Sequence, residues 1–130
     1  YMGIQVLSAR QYSHKLKITL QATGRLGFSE DTAKEFKLAS CQTYIKFLRD
    51  EDTDKMFLAV LYHPDEDAFR VCKSGSYYNL QTSQMFKDLG IDYKKNTVIY
   101  DLSRCAEHDE EFGGLAYEME PRMKKRGKEK

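Results

Sequence analysis

Residues 18–38, ITLQATGRLGFSEDTAKEFKL, and residues 69–91, FRVCKSGSYYNLQTSQMFKDLGI, present the same local signals in the same order. In each, a strand-like segment leads to a glycine, the chain resumes an extended path, and a residue suited to cap a helix follows. A helical segment and a pair of strand-like segments come next in both. This repetition predicts one α+β domain, mostly β, made of two similar strand-strand-helix-hairpin units that share a pseudo-two-fold, barrel-like core.

The first predicted unit covers residues 15–62. Its opening strand alternates leucine and isoleucine with lysine and threonine, as a half-buried strand does. Gly24 suits the turn after this strand, and Ser29 is a good N-cap for a helix over residues 30–36, because acidic residues occupy its first turn. Beyond the helix, residues 43–62 contain two strand-like segments around an acidic turn, which is typical of a β-hairpin.

The second predicted unit covers residues 68–120, and an acidic linker with one proline, residues 63–67, separates it from the first. Gly75 aligns with Gly24 at an offset of 51 residues, and the segment VIYDL aligns with YIKFL at an offset of 54. The growing offset places short insertions in a turn and a loop, where they are tolerated. We therefore interpret the second unit as a copy of the first, with a chance recurrence of strand and helix as the alternative.

The two ends of the chain differ from the units. Residues 1–14 are predicted to contribute an N-terminal strand segment, and residues 121–130 form a basic tail that we expect to be disordered. The whole chain is nearly neutral, with 21 basic and 20 acidic residues. Because phosphate binding depends on clustered lysine and arginine, this balance by itself gives no support to a nucleic-acid partner.

The composition indicates a globular domain. Hydrophobic residues make up 41% and charged residues 32% of the 130 positions. No apolar run approaches the ~20 residues that cross a bilayer, and the first residues lack the pattern of a signal peptide. The three cysteines are odd in number and widely spaced, which argues against a disulfide framework and for a reducing compartment. We therefore expect a cytoplasmic protein without a membrane partner.

Residues 24–38, GRLGFSEDTAKEFKL, together with the hairpin that follows, resemble the swapped-hairpin DNA-binding family typified by AbrB and MazE. The resemblance covers about residues 15–61 and again about residues 68–119, and the tandem arrangement is similar to that of the MraZ branch. The chain departs from the family at the helix entrance, where the family has a proline, and after the helix, where ASCQT and DYKKN replace a Gly-Asp turn. The resemblance thus implies the architecture more directly than the activity.

The same resemblance implies a non-catalytic nucleic-acid-binding protein, in the manner of a bacterial DNA-binding transcription regulator. Basic residues on the strand, turn and helix of each unit would then contact DNA phosphates and groove edges. The matching positions in this chain are Lys15, Lys17, Arg25, Lys34, Arg70 and Lys73. Lys37 and Lys87 lie on the predicted helices as well. The alternative explanation is that these charged side chains are simply solvated.

A protein-interaction or structural module without nucleic-acid binding is the alternative function. The near-neutral charge favours it, and exposed strand edges could then pair copies of the chain into a homo-oligomer. Tyrosines concentrate in the second unit, among them Tyr77 and Tyr78. Such rings could stack on single-stranded bases, although tyrosine is also a common strand residue.

Patterns of catalytic and metal-binding residues are weak in this sequence. The segment CAEHDEE offers Cys105, His108 and Asp109, but a tetrahedral metal site needs four ligands. The glycines lack the context of a nucleotide-binding loop, and no nucleophile-base pair stands at a motif spacing. We therefore expect no enzyme activity, no cofactor, no metal and no small-molecule substrate.

Overall fold

The computed structural model describes residues 16–125; the predicted N-terminal strand segment and Lys15 lie outside them. This part of the chain forms one antiparallel sheet with short helices. The strands are β1 (Lys17–Leu20), β2 (Leu26–Phe28), β3 (Tyr44–Arg49), β4 (Met56–Leu61), β5 (Ala68–Arg70), β6 (Cys72–Ser74), β7 (Tyr77–Leu80), β8 (Asn96–Arg104) and β9 (Leu115–Lys125). The helices are α1 (Glu30–Glu35), α2 (Ser83–Asp88), a 3₁₀ helix (Ala106–His108) and α3 (Asp109–Phe112).

The sheet is a nearly closed barrel. Its strand order is β5-β3-β4-β9-β8-β1-β2-β7-β6, and each neighbouring pair is antiparallel. β5 and β6 stand at the two ends of this order, although Val71 alone separates them in the chain. The sequence predicts a single strand here, whereas the structure divides it, because residues before Val71 pair with β3 and those after it pair with β7. We call residues 70–73 the seam.

Alternating side chains on the strands fill the barrel. On β1, Ile18 and Leu20 are fully buried, and their cross-strand partners on β8, Tyr100 and Val98, are buried too. Phe36, the C-cap of α1, belongs to the same core cluster. Each such side chain contributes about 1.5–3 kcal/mol when it leaves water. The predicted alternation of the first strand is therefore confirmed.

The two helices begin differently. Ser29 is the N-cap of α1, as predicted, and its Oγ accepts a hydrogen bond from the N–H of Thr32 at 3.3 Å. Thr82 occupies the corresponding position before α2, but its hydroxyl donates to the C=O of Gly24 at 2.9 Å instead of capping the helix. This bond ties the β1–β2 turn to the start of α2. None of the helices within residues 16–125 is long and apolar enough to cross a membrane.

The two helices end in the same way. The residue after the C-cap of each helix is left-handed: it is Lys37 at α1, with φ of 59°, and Gly90 at α2, with φ of 76°. Each of these two residues donates its N–H to the C=O three residues earlier, at 3.1 and 3.0 Å. The N–H of the next residue donates to the C=O five residues earlier, at 3.0 Å in both cases. These bonds satisfy carbonyl groups that the helix end leaves unpaired.

β9 is longer than the sequence predicts. Residues 122–125 pair with residues 96–99 of β8, so the ladder of β8 and β9 continues to Lys125. The expectation of a disordered tail from residue 121 is thus wrong for residues 121–125, because their backbone groups belong to this ladder. Residues 126–130 lie outside the described residues.

The loop between β8 and β9 is folded around an ion pair that the sequence does not predict. The guanidinium of Arg104 donates two hydrogen bonds of 2.6 Å to the carboxylate of Asp109. The same carboxylate accepts the N–H of Ala116 at 2.8 Å. Together these donors lower the pKa of Asp109 to about 2, with Arg104 as the larger cause. The ion pair and the ring contacts among Phe57, His108 and Phe112 hold the loop against β4 and β9.

Candidate functional site

Two adjoining cavities meet at the loop that follows α1, and one of them borders the seam. The first has a volume of about 520 Å³ and separates the loop after α1 from the seam, and the second, of about 680 Å³, separates α1 from the β6–β7 turn. Ala39, Ser40 and Tyr78 line both cavities, which therefore form one groove. We call it the seam groove. Its lining residues are Phe28, Ser29, Glu30, Ala33, Lys34, Lys37, Leu38, Ala39, Ser40, Cys41, Gln42, Thr43, Arg70, Val71, Cys72, Lys73, Ser76, Tyr77 and Tyr78.

Hydrogen bonds from the loop after α1 fix one wall of the groove to the seam. The N–H of Val71 donates to the C=O of Thr43 at 2.9 Å. The side-chain amide of Gln42 donates to the C=O of Val71 at 3.3 Å. Both backbone groups of Val71 are therefore satisfied at the point where its strand changes partners.

The seam groove is positively charged. Its lining includes four basic side chains, those of Lys34, Lys37, Arg70 and Lys73, and one acidic side chain, that of Glu30. Lys34 forms an exposed ion pair of 3.9 Å with Glu30. Within the described part of the chain, Lys37 and Arg70 have no ion pair. A chain with balanced charges overall thus concentrates cations at one concave surface.

The backbone of Lys37 is held in a conformation that disfavours its side chain. A left-handed residue with a Cβ costs about 1–2 kcal/mol relative to the right-handed conformation, and glycine avoids this cost. The second helix has Gly90 at the same place after its end. At α1 the chain carries a lysine instead, and this lysine lines the seam groove. Strained positions of this kind are concentrated at functional sites.

Two tyrosines of β7 complete the groove. Tyr77 has 74% of its surface exposed, which is the largest exposure among the bulky apolar residues of the described chain. Tyr78 is half-buried and packs against the core, and the ammonium of its cross-strand partner Lys73 lies 5.9 Å from the centre of its ring. A ring backed by the core and flanked by a cation is a rigid, charged platform.

The predicted contact residues divide into two groups. Lys34, Arg70 and Lys73 come together in the seam groove. Arg25 lies elsewhere: it is an exposed residue of the turn between β1 and β2. Lys17 lies on β1 opposite Asp101 of β8 and does not line the groove. Lys15 is outside the described residues.

The outer face around Lys17 is occupied by another ion pair. The carboxylate of Asp101 accepts hydrogen bonds from the guanidinium of Arg122 at 2.6 and 3.1 Å. Asp101 is buried, with 7% of its surface exposed. This pair satisfies the acid beside Lys17 and stabilises the β8–β9 ladder, so the surroundings of Lys17 have a structural role.

Some groove residues have no signal in the sequence. The loop of residues 39–42 carries small and polar side chains in no recognisable motif. Lys37 does have a signal in the sequence, because it aligns with Gly90 at an offset of 53 residues. Glycine is the usual residue in the left-handed position after a helix, so the alignment marks Lys37 as an unusual residue at such a position. Among residues 16–125, no group of three or more His, Cys, Asp or Glu side chains is placed to hold a metal ion.

Comparison of the chain with protein-family models, with curated proteins and with solved structures finds no match. The site is therefore interpreted from its own geometry and charge.

Proposed function

We propose that this chain is a non-catalytic nucleic-acid-binding protein and that the seam groove binds the phosphate backbone. The observation that carries the proposal is the groove's excess of basic side chains over acidic ones in a chain with nearly equal numbers of both. Binding to nucleic acid depends mainly on clustered lysine and arginine. Lys37, Arg70 and Lys73 are the groups that we assign to phosphates.

The strain at Lys37 supports this assignment. Glycine at this position would remove the conformational cost, as Gly90 does at the other helix. The lysine adds a cation to the groove at that cost. The ion-paired Lys34 has a smaller part, because Glu30 already compensates its charge.

We also propose that the barrel consists of two units related by a pseudo-two-fold axis, as in tandem swapped-hairpin proteins. The strand order supports this proposal, because β1-β2 meets β7-β6 through the β2–β7 pair, and β3-β4 meets β9-β8 through the β4–β9 pair. Residues 68–74 correspond to β1, β7 to β2 and β8 to β3 in the proposed units. The segment 68–74 pairs with β7 and β3, and β1 pairs with β2 and β8, as this correspondence requires. The matching helix ends add a second, independent correspondence.

A regulator of gene expression that acts by binding nucleic acid is the biological role that we infer from this groove. We place it in the cytoplasm, because the unpaired thiols of Cys41, Cys72 and Cys105 suit a reducing compartment. Self-association of the chain would be compatible with this role, since paired copies present two grooves to one nucleic acid.

Reversing two charges at the seam tests the proposed function. The variant R70E/K73E should bind labelled DNA at least about tenfold more weakly than the wild type at about 50 mM salt, because phosphates then meet carboxylates. If the wild type makes three phosphate contacts, the logarithm of its binding constant should fall linearly with the logarithm of the salt concentration, with a slope of about −2 for single strands or about −3 for a duplex. The variant should show a flatter slope. Fluorescence anisotropy across a salt series measures both quantities.

The matched control is K94E/K95E, which changes the net charge equally at two exposed lysines outside the groove. This control should retain most of the affinity. Equal losses in the two variants would mean that net charge and not the groove governs binding. Absence of binding by the wild type at low salt would remove the proposal altogether.

Replacing Lys37 with glycine should change stability and binding in opposite directions. We expect the variant K37G to raise the free energy of unfolding by about 0.5–1 kcal/mol, because the left-handed strain disappears. Its affinity for DNA should fall about two- to fivefold, as expected for the loss of one exposed ion pair. Urea denaturation and anisotropy measure the two effects.

Two further variants separate these causes. Lys37→Ala removes the charge but keeps the strain, so it should weaken binding without stabilising the fold. Asp54→Gly relieves the other left-handed non-glycine residue of the described chain, with φ of 63°, outside the groove. It should stabilise the fold and leave binding unchanged. A K37G protein that binds DNA as tightly as the wild type would exclude Lys37 from the site.

A further inference from the structure

We propose that the seam groove selects single-stranded nucleic acid over the duplex, with an unpaired base on Tyr77 and the adjacent phosphates on Arg70 and Lys73. This inference rests on the proposed function and specifies its ligand. It is carried by the combination of cations, one exposed and one half-buried aromatic ring and a concave shape.

The exposed ring of Tyr77 fits an unpaired base. With 74% of its surface exposed, the side chain contributes little to the core, and it lines the cavity that Lys37 also lines. Bases stack favourably on the faces of aromatic side chains, whatever the base. In a duplex the faces of the bases are covered by their neighbours, so such a ring finds a partner only on a strand whose bases are free.

Tyr78 links the base-stacking and phosphate-binding parts of the groove. Its ring lines both cavities, and the ammonium of Lys73 lies 5.9 Å from the ring centre. A nucleic-acid strand bound along the groove would therefore cross the ring of Tyr78 as it passes from the cavity of Tyr77 to the cavity of Arg70. Each cavity lies in the size range of sites that hold one drug-sized ligand, which is the scale of a nucleotide.

The shape of α1 argues against a duplex in the same place. A protein that reads duplex DNA inserts a projecting helix or two-stranded ribbon into the major groove. α1 has six residues and forms a wall of a concave surface. A helix this short that forms the wall of a cavity has no projecting part to enter a major groove, whereas a single strand can lie along the cationic lining.

The closing experiment measures the full chain by fluorescence anisotropy with three labelled probes of about 12 nucleotides, a length typical of single-strand sites. The probes are a mixed-sequence DNA strand, the RNA strand of the same sequence, and the DNA duplex. We expect at least one single strand to bind about tenfold or more tightly than the duplex. A difference between the DNA and RNA strands identifies the source of the ligand and agrees with the proposal.

Substitution of Tyr77 provides the test of mechanism. Y77A should lower the affinity for the single strand roughly 5- to 100-fold, the range that corresponds to one lost stacking contact, and should leave the affinity for the duplex unchanged. Y77F keeps the ring and should bind like the wild type. The thermal midpoint of Y77A should match that of the wild type, because the side chain is mostly exposed.

The outcomes separate the two proposals. Equal or tighter binding of the duplex, or an unchanged single-strand affinity in Y77A, overturns the inference. If R70E/K73E still weakens binding in that case, the proposed function stands without single-strand selection. If the wild type binds none of the three probes at about 50 mM salt, both proposals fail.

Discussion

Replacing Gly24 with alanine is expected to lower the free energy of unfolding by about 2–5 kcal/mol. Gly24 has φ of +85°, and a Cβ at this position would lie 2.4 Å from the Cβ of Ser83 and 2.9 Å from the Cζ of Tyr93. Left-handed strain accounts for about 1–2 kcal/mol of this cost and overpacking for about 1–3 kcal/mol. The turn would also move away from Thr82, whose hydroxyl bonds the C=O of Gly24. Urea unfolding of the wild type and the variant measures the difference.

The turn between β6 and β7 supplies the control. Gly75 is also left-handed, with φ of +64°, but no described atom lies within 4 Å of a Cβ built there. Gly75→Ala should therefore cost only the conformational part, about 1 kcal/mol. A similar loss in the two variants would mean that the contact of the β1–β2 turn with α2 adds nothing to stability.

Replacing Thr32 with valine is expected to cost about 2–4 kcal/mol. Thr32 is fully buried, and its hydroxyl accepts the N–H of Lys17 at 2.7 Å and donates to the C=O of Lys17 at 2.9 Å. The Oγ of Ser29 lies 2.7 Å from the same hydroxyl. Valine has the same shape but leaves the N–H of Lys17 without a partner, and a buried unpaired donor costs about 1–3 kcal/mol beyond the lost bonds.

Thr32→Ser distinguishes the hydroxyl from the packing of the methyl group. Serine keeps the three hydrogen bonds and loses one methyl, so it should cost only about 1 kcal/mol. Chemical denaturation gives the free energies of unfolding, and hydrogen exchange at the N–H of Lys17 should become faster in the valine variant alone. A larger loss for serine than for valine would show that packing, and not hydrogen bonding, joins α1 to β1.

Much of the fold could be predicted from the sequence, because its signals are local. The alternation on β1, the serine cap of α1 and the hairpin of β3 and β4 follow from residue type and spacing, and the structure confirms each of them. The division of one predicted strand at Val71 could not be predicted in this way. It depends on which strands lie on either side of the barrel, and no local pattern carries that information.

The candidate site was less predictable than the fold. The family resemblance points to Arg70 and Lys73, whereas Tyr77 and Tyr78 follow from a separate hypothesis about base stacking. These four residues line one groove because the barrel closes, so that the β6–β7 hairpin lies across the groove from α1. Lys17 and Arg25 also carry a positive charge and, like Arg70 and Lys73, precede a helix in the sequence. They nevertheless lie outside this groove.

The seam also bears on how the protein resists aggregation. A long unpaired strand edge is a template for the addition of further chains, and natural sheets shorten or cover such edges. Here the two ends of the strand order are β5 and β6, each of three residues, and they are joined through Val71. Cationic side chains flank this junction, so the same edge of another copy would be repelled at the place where the ladder is open. The groove that we assign to a ligand thus coincides with the open edge of the sheet.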